Sequence, residues 1–152
     1  IFHVVGAGGA NLGDNARDNL VPKTFKALRS GGTPEIYGND YQTHDGTCIR
    51  DYIHVVDLAE AHKLSLDLMD KGSAAAIFNV GSGTGYTVKE MMNQMRESTG
   101  IHFEAKMMPK RSGDPEKLVA DVSKIKRELG WKPTSTLKEM IDSSWEAEKA
   151  NS

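Results

Sequence analysis

The chain of 152 residues balances 19 Lys and Arg against 21 Asp and Glu, for a formal net charge of -2, and the two signs are interspersed. That balance offers no basic footprint for nucleic acid or an anionic membrane surface, and no apolar run approaches the roughly 18 residues of a bilayer span. Its composition, 38% hydrophobic and 26% charged with one cysteine (Cys48), fits one domain with a real core, excludes an internal disulfide framework and suits a cytoplasmic protein.

Short apolar runs alternate with helical patterns, which predicts an α/β fold. Residues 1–5 read as a buried strand, and residues 6–18 as a Gly/Asn/Asp-rich loop. A strand at the very first residue, with no methionine and no signal-like leader, points to a fragment or to a processed terminus. A helix is expected near Asn19, with Pro22 tolerated in its first turn, Val21, Phe25 and Leu28 as its apolar stripe, and Gly31-Gly32 as its stop. Residues 35–37 make a short strand, followed by a turn-rich stretch to Gly46.

Residues 47–56 alternate as a strand. Asp57 is expected to cap the next helix, with Glu60 in the reciprocal position and Leu58, Ala61, Ser65 and Leu68 facing inward. Residues 76–80 read as a short buried strand that ends at the glycines of 81–85. Thr87 and Glu90 form a capping-box pattern for a helix whose Val88, Met91, Met92 and Met95 make an apolar side, read as adaptable core. Residues 103–108 are another strand candidate, and 109–115 a charged loop. Residues 123–129 form a short helix stopped by Gly130. Thr136 and Glu139 cap a last helix offering Leu137, Met140, Ile141 and Trp145. No internal repeat or linker interrupts the chain, so residues 1–152 are expected to form a single domain.

The run Val4-Val5-Gly6-Ala7-Gly8-Gly9-Ala10-Asn11 has glycines after a strand, as dinucleotide sites do. It departs from that pattern. The third glycine of the G-x-G-x-x-G register falls on Asn11, the next residues look like acidic loop rather than helix, and no strand ending in an acidic residue follows. A dinucleotide is not expected here. The five histidines, His3, His44, His54, His62 and His102, lack metal-ligand spacing. His54 and His62 read as structural, and Cys48 as a small buried side chain.

Several segments, taken in order, carry a resemblance. They are Ile36-Tyr37-Gly38-Asn39-Asp40-Tyr41, the run from Asp45 to His62 with its Arg50-Asp51-Tyr52, Phe78-Asn79-Val80-Gly81-Ser82-Gly83, Arg111-Ser112-Gly113-Asp114, and Glu128-Leu129-Gly130-Trp131-Lys132-Pro133. From Phe2 to about Trp145 the chain resembles the C-terminal, substrate-binding part of UDP-glucose/UDP-galactose 4-epimerases, of the extended short-chain dehydrogenase/reductase family. The resemblance implies a Rossmann-like α/β fold and a UDP-sugar ligand, UDP-glucose or UDP-galactose. It implies that Asn19 contacts the UDP moiety, that Ile36 and Tyr37 line the uracil, that Arg50 and Arg111 hold the diphosphate, and that Asp114 accepts from the ribose hydroxyls. Guanidinium forks suit closely spaced oxyanions, and one carboxylate can accept from both hydroxyls of a diol.

The chain also departs from that family. The NAD-binding glycine loop is missing, so no cofactor is expected in this chain, although the complete family enzyme uses NAD. The family's catalytic Tyr-x-x-x-Lys is missing too: four residues after Tyr37, Tyr41, Tyr52 and Tyr86 stand Tyr41, Asp45, Val56 and Glu90. His3 stands where the family has an asparagine that touches the ligand. The expectation is a UDP-sugar-binding portion that is inactive alone, with no catalytic residue of its own. A non-enzymatic nucleotide-sugar-binding or interaction module stays open, as does a fragment of another sugar-nucleotide dehydratase or decarboxylase of the same family. Strands 1–5 and 77–80, left with exposed edges, would favour a homo-oligomer.

Overall fold

The computed structural model describes residues 3–16, 18–72 and 76–151. Its elements are β1 (His3–Val5), α1 (Leu20–Arg29), β2 (Glu35–Tyr37), β3 (Ile49–His54), α2 (Val55–Asp70), β4 (Gly85–Thr87), α3 (Val88–Thr99), β5 (Lys106–Met108), β6 (Lys117–Leu118), α4 (Ser123–Leu129) and α5 (Leu137–Ala150). The α/β reading from sequence holds. Of the expected first strand, residues 3–5 are described, and the first two residues lie outside the described set.

β3 organises the molecule. It pairs in parallel with β1 and β6 and antiparallel with β4. Because successive side chains of a strand point to opposite faces, β3 feeds two apolar clusters. Tyr52 joins the larger one, with Val5, Phe25, Ile36, Met91, Met92, Met95, Met140 and Ile141. Ile53 joins the smaller one, with Ala61, Val80, Ile125 and Trp131. The three methionines of α3 are fully buried, as the core reading of that stripe expects. A separate parallel pair, β2 with β5, sets Tyr37 opposite Met108.

Both expected capping boxes form, Thr87 with Glu90 and Thr136 with Glu139. The cap of α2 differs. The helix begins at Val55, two residues before Asp57, because the His54 ring accepts from the Val56 N–H and serves as the N-cap. Asp57 sits inside the first turn instead. Its carboxylate receives the Thr134 hydroxyl at 2.7 Å and the Ser135 N–H at 3.0 Å, while its carbonyl accepts from the Trp131 indole. A residue with the pattern of a local cap thus ties α2 to the segment entering α5.

Residues 76–80 are not a strand. No described strand runs alongside to accept a ladder, and the Ile77 carbonyl is taken by Lys124 at 2.9 Å. The apolar pattern is used for packing at Val80 and Phe78, while Ile77 is 87% exposed. Residues 103–105 also stay outside β5. The Phe103 carbonyl accepts from Arg96 Nε, and the Arg96 guanidinium lies 4.7 Å from the Phe103 ring centroid. β4 and β6 are additional short strands on β3, too brief to leave a periodic signature. Among the described residues, no helix is long and apolar enough to cross a membrane.

Candidate functional site

Alternation along β3 sends Arg50 and Tyr52 to one face and Asp51 and Ile53 to the other. On the first face lies a cleft of about 360 Å³, a size ordinary for small-molecule sites. Arg50, Tyr52 and Cys48 line it from β3 and its approach, Asn19 and Lys23 from the start of α1, Tyr37 from β2, and Arg111 and Asp114 from the loop between β5 and β6. Of the six residues expected as ligand contacts, five therefore meet in one cleft. Ile36 does not line it: its side chain is 3% exposed and packs in the larger apolar cluster, as alternation from Tyr37 dictates.

Arg50 is held by the chain's own carbonyls and a carboxylate. One guanidinium nitrogen donates to the carbonyls of Ile49 and Pro115, each at 2.8 Å, and the other lies 3.5 Å from Asp114. The residue is only 7% exposed. Asp114 reaches it because residues 111–114 form a turn, with the Asp114 N–H donating to the Arg111 carbonyl and Gly113 at φ +81°. That backbone region favours glycine.

Arg111 is more exposed. Its guanidinium lies 4.1 Å from the Tyr37 ring centroid, a cation–π distance. The Tyr37 hydroxyl donates to Glu35 at 2.7 Å, and Glu35 also pairs with Lys23 at 3.5 Å. The Tyr37 hydrogen bond is the main cause holding the Glu35 carboxyl below its ordinary range. Asn19 occupies the N-cap position of α1 without capping it, and its amide donates to Asp14. Burial pushes the Cys48 thiol up, which keeps it protonated and unreactive at neutral pH.

Lys23, Glu35, His3, Tyr52 and Cys48 also line the cleft and are not among the ligand contacts expected from sequence. The signal for some of them is present there: Cys48, Arg50 and Tyr52 share a face at period two, and Lys23 lies one helical turn beyond Asn19. On the other face, Asp51 is fully buried and accepts from the Ser82 N–H and hydroxyl, the Gly83 N–H and the Ala120 N–H, at 2.6 to 3.0 Å. It ties residues 82–83, ahead of β4, to Ala120, just after β6.

The start of the glycine run after β1 is tied to α5. The Gly6 and Ala7 N–H groups donate to the hydroxyls of Ser144 and Ser143 on α5, and a Cβ at Gly6 would meet the His54 ring at 2.6 Å. None of the described residues between Gly8 and Asp18 is helical, so α1 does not open directly from the glycine run. Among the described residues, no cluster of His, Cys, Asp or Glu could hold a metal ion.

The cleft gathers two guanidinium groups, a carboxylate 3.5 Å from one of them, and an aromatic ring under the other. A family model described as GDP-mannose 4,6 dehydratase matches residues 8–144. The UDP-glucose 4-epimerase of Corynebacterium glutamicum is 41% identical over 148 residues, covering 95% of this chain and 44% of that protein. That of Lacticaseibacillus casei is 40% identical over 149 residues, covering 95% and 45%. The solved UDP-glucose 4-epimerase from Bifidobacterium longum, in complex with NAD+ and UDP, superposes with a TM-score of 0.89 at 37% identity, over 99% of this chain and 46% of its own. The chain thus spans less than half the length of the curated relatives it matches.

Proposed function

The chain belongs to the family described as GDP-mannose 4,6 dehydratase, and from that premise we propose that it is the C-terminal, UDP-sugar-binding portion of a UDP-glucose 4-epimerase-like isomerase. The observation that carries this reading is the meeting of Asn19, Tyr37, Arg50, Arg111 and Asp114 in one cleft, in a chain about 40% identical to proteins named UDP-glucose 4-epimerase.

In this reading the cleft positions its ligand. Arg50, pre-oriented by two carbonyls, presents its remaining donors to the diphosphate. Arg111 leaves the Tyr37 ring to clamp the same group, and the uracil takes its place against the ring. Asp114 exchanges part of its pairing with Arg50 for the ribose hydroxyls. Buried guanidinium–phosphate contacts are strong because both partners keep their charge away from water.

Epimerisation at C4 withdraws a hydride from the sugar and returns it to the opposite face, which a nicotinamide supplies when bound. The residues present here do not fit that cofactor, and Tyr-x-x-x-Lys does not occur in the sequence. NAD and the acid/base pair would belong to the part of such proteins that this chain does not match. The chain alone, in the cytoplasm, is therefore expected to bind a UDP-sugar and not to turn it over.

Calorimetric titration with UDP-galactose, UDP-glucose, dTDP-glucose and GDP-mannose tests this. Preference for the uridine nucleotides supports the reading. Preference for GDP-mannose would favour a dehydratase-type relative, the reading that the description of the family model supports. Turnover of UDP-galactose by the chain with added NAD would overturn the assignment as a binding portion only.

A further inference from the structure

His3 carries an inference that the cleft residues above do not. In the parallel ladder it stands in register with Tyr52, and the two rings lie 5.4 Å apart. It lines the cleft together with Arg50 and Tyr52. It also lines a second cavity, of about 270 Å³, reaching between α1 and α5, and shares Asn19, Leu20 and Tyr52 between the two. The ring thus stands where the two cavities adjoin. The main chain of Asp51 lies beside the ring.

We propose, resting on the nucleotide-sugar reading above, that His3 is a phosphate-binding residue of this cleft that takes up a proton when a diphosphate settles beside Arg50. An imidazole is the one side chain whose ordinary titration lies near neutral pH, so its charge can follow the ligand's.

The surroundings favour a neutral ring in the free protein. Burial holds it below its usual range. The Asp51 main chain acts against this, the Arg50 charge lowers it further, and the carboxylates of Asp51 and Asp114 raise it. Other charged groups line the same spaces. Lys23 on α1, Arg111 on the loop and Glu35 on β2 line the cleft, as does Asp18 ahead of α1. Asp14 and, from α5, Glu148 line the second cavity. On the opposite face of β1, Val4 packs toward the smaller apolar cluster with α2.

A UDP-sugar has a diphosphate diester that carries two negative charges and does not titrate between pH 5 and 8. Placed beside the ring, those charges favour its protonated form. Affinity is then flat above the ring's pKa in the complex. It rises as the pH falls through that value and levels off below the pKa of the free protein.

The test follows the His3 ring by side-chain NMR, with His3→Asn assigning its signal, in the free chain and with saturating UDP-glucose or with uridine. UDP-glucose is expected to raise the ring's titration midpoint by about one pH unit. Affinity for it should then rise as the pH is lowered from 8 and approach a tenfold gain below the free ring's own midpoint, because a tenfold tighter hold on the proton is by linkage a tenfold tighter hold on the ligand. His3→Asn should bind with a flat pH profile, and uridine, which has no phosphate, should leave the ring unchanged. Binding of UDP-glucose with an unchanged ring titration overturns the role of His3 and leaves the cleft's assignment standing. An equal change with uridine overturns the phosphate contact. Absence of UDP-glucose binding overturns both.

Discussion

The Arg50 guanidinium lies 3.5 Å from the Asp114 carboxylate while its other end bridges the carbonyls of Ile49 and Pro115. One side chain thus joins a strand, a loop and the ion pair that a ligand would share. Arg50→Ala is expected to lower UDP affinity more than tenfold and also the melting temperature, since two carbonyls lose their donor. Arg50→Lys should rescue neither fully, because an ammonium cannot reproduce the planar fork. Calorimetry with thermal unfolding checks both. Full affinity in Arg50→Lys would mean that only charge matters.

Arg111 separates binding from stability. Its guanidinium is exposed and touches the Tyr37 ring, a contact worth about 0.5–1 kcal/mol at such a site. Arg111→Ala should therefore leave thermal unfolding nearly unchanged while weakening UDP binding by more than about tenfold. Unchanged affinity would remove Arg111 from the ligand.

Asp51 predicts the opposite pattern. It is fully buried and accepts from three main-chain N–H groups and one hydroxyl. Asp51→Ala should cost about 3–5 kcal/mol, since several buried donors lose their partner at once. Gly81→Ala should also destabilise, because its Cβ would meet an Asp51 carboxylate oxygen at 2.6 Å and the Ala120 Cβ at 2.8 Å. Denaturant titration of either variant gives the measurement, and a loss below about 1 kcal/mol in Asp51→Ala would contradict the account.

Acid should destabilise the chain in two stages. Burial holds the His54 ring below its usual range, and its capping role needs an unprotonated nitrogen. The unfolded chain therefore takes up protons first, and stability constant above pH about 6.5 falls below it until the folded ring itself titrates. The second stage belongs to Asp57 and Asp45. Burial pushes both up, but hydrogen bonds, from Thr134 and Ser135 to Asp57 and from Thr87 and Thr47 to Asp45, outweigh it and hold both below their usual range. Their stabilisation is present above the ordinary carboxylate pKa of about 3.9 and is lost as the pH falls through the lower folded values. Melting temperature against pH for wild type, His54→Gln and Asp57→Asn should show each stage diminish in its own variant.

The outer edge of β1 has no partner among the described residues, and Ile77, Leu66 and Met69 are exposed. Self-association is expected, and Ile77→Lys should weaken it. A stable monomer at high concentration in sedimentation equilibrium would contradict this.

Helices are the legible part of the sequence, because caps and period are local. Thr87 with Glu90 and Thr136 with Glu139 announce α3 and α5 by chemistry within a single turn. Asp57 misleads because its partners, Thr134 and Ser135, are far away in the chain. Residues 76–80 mislead because an apolar run guarantees neither burial nor a neighbouring strand: Ile77 is exposed while Val80 is buried. Among the site residues, Arg50, Arg111 and Asp114 are legible through resemblance, whereas their joint geometry depends on the turn at Gly113 and the carbonyl of Pro115.

Arg50 and Asp51 are neighbours in sequence with opposite duties. Because β3 turns one toward the cleft and the other toward Ser82, Gly83 and Ala120, the strand divides its work by residue parity. Anyone re-engineering ligand preference would start from the face of Cys48 and Arg50, with Tyr52 anchoring it in the larger apolar cluster. Odd-numbered positions of β3 are the ones to leave alone, since a change there is felt by the scaffold before it is felt by the guest molecule.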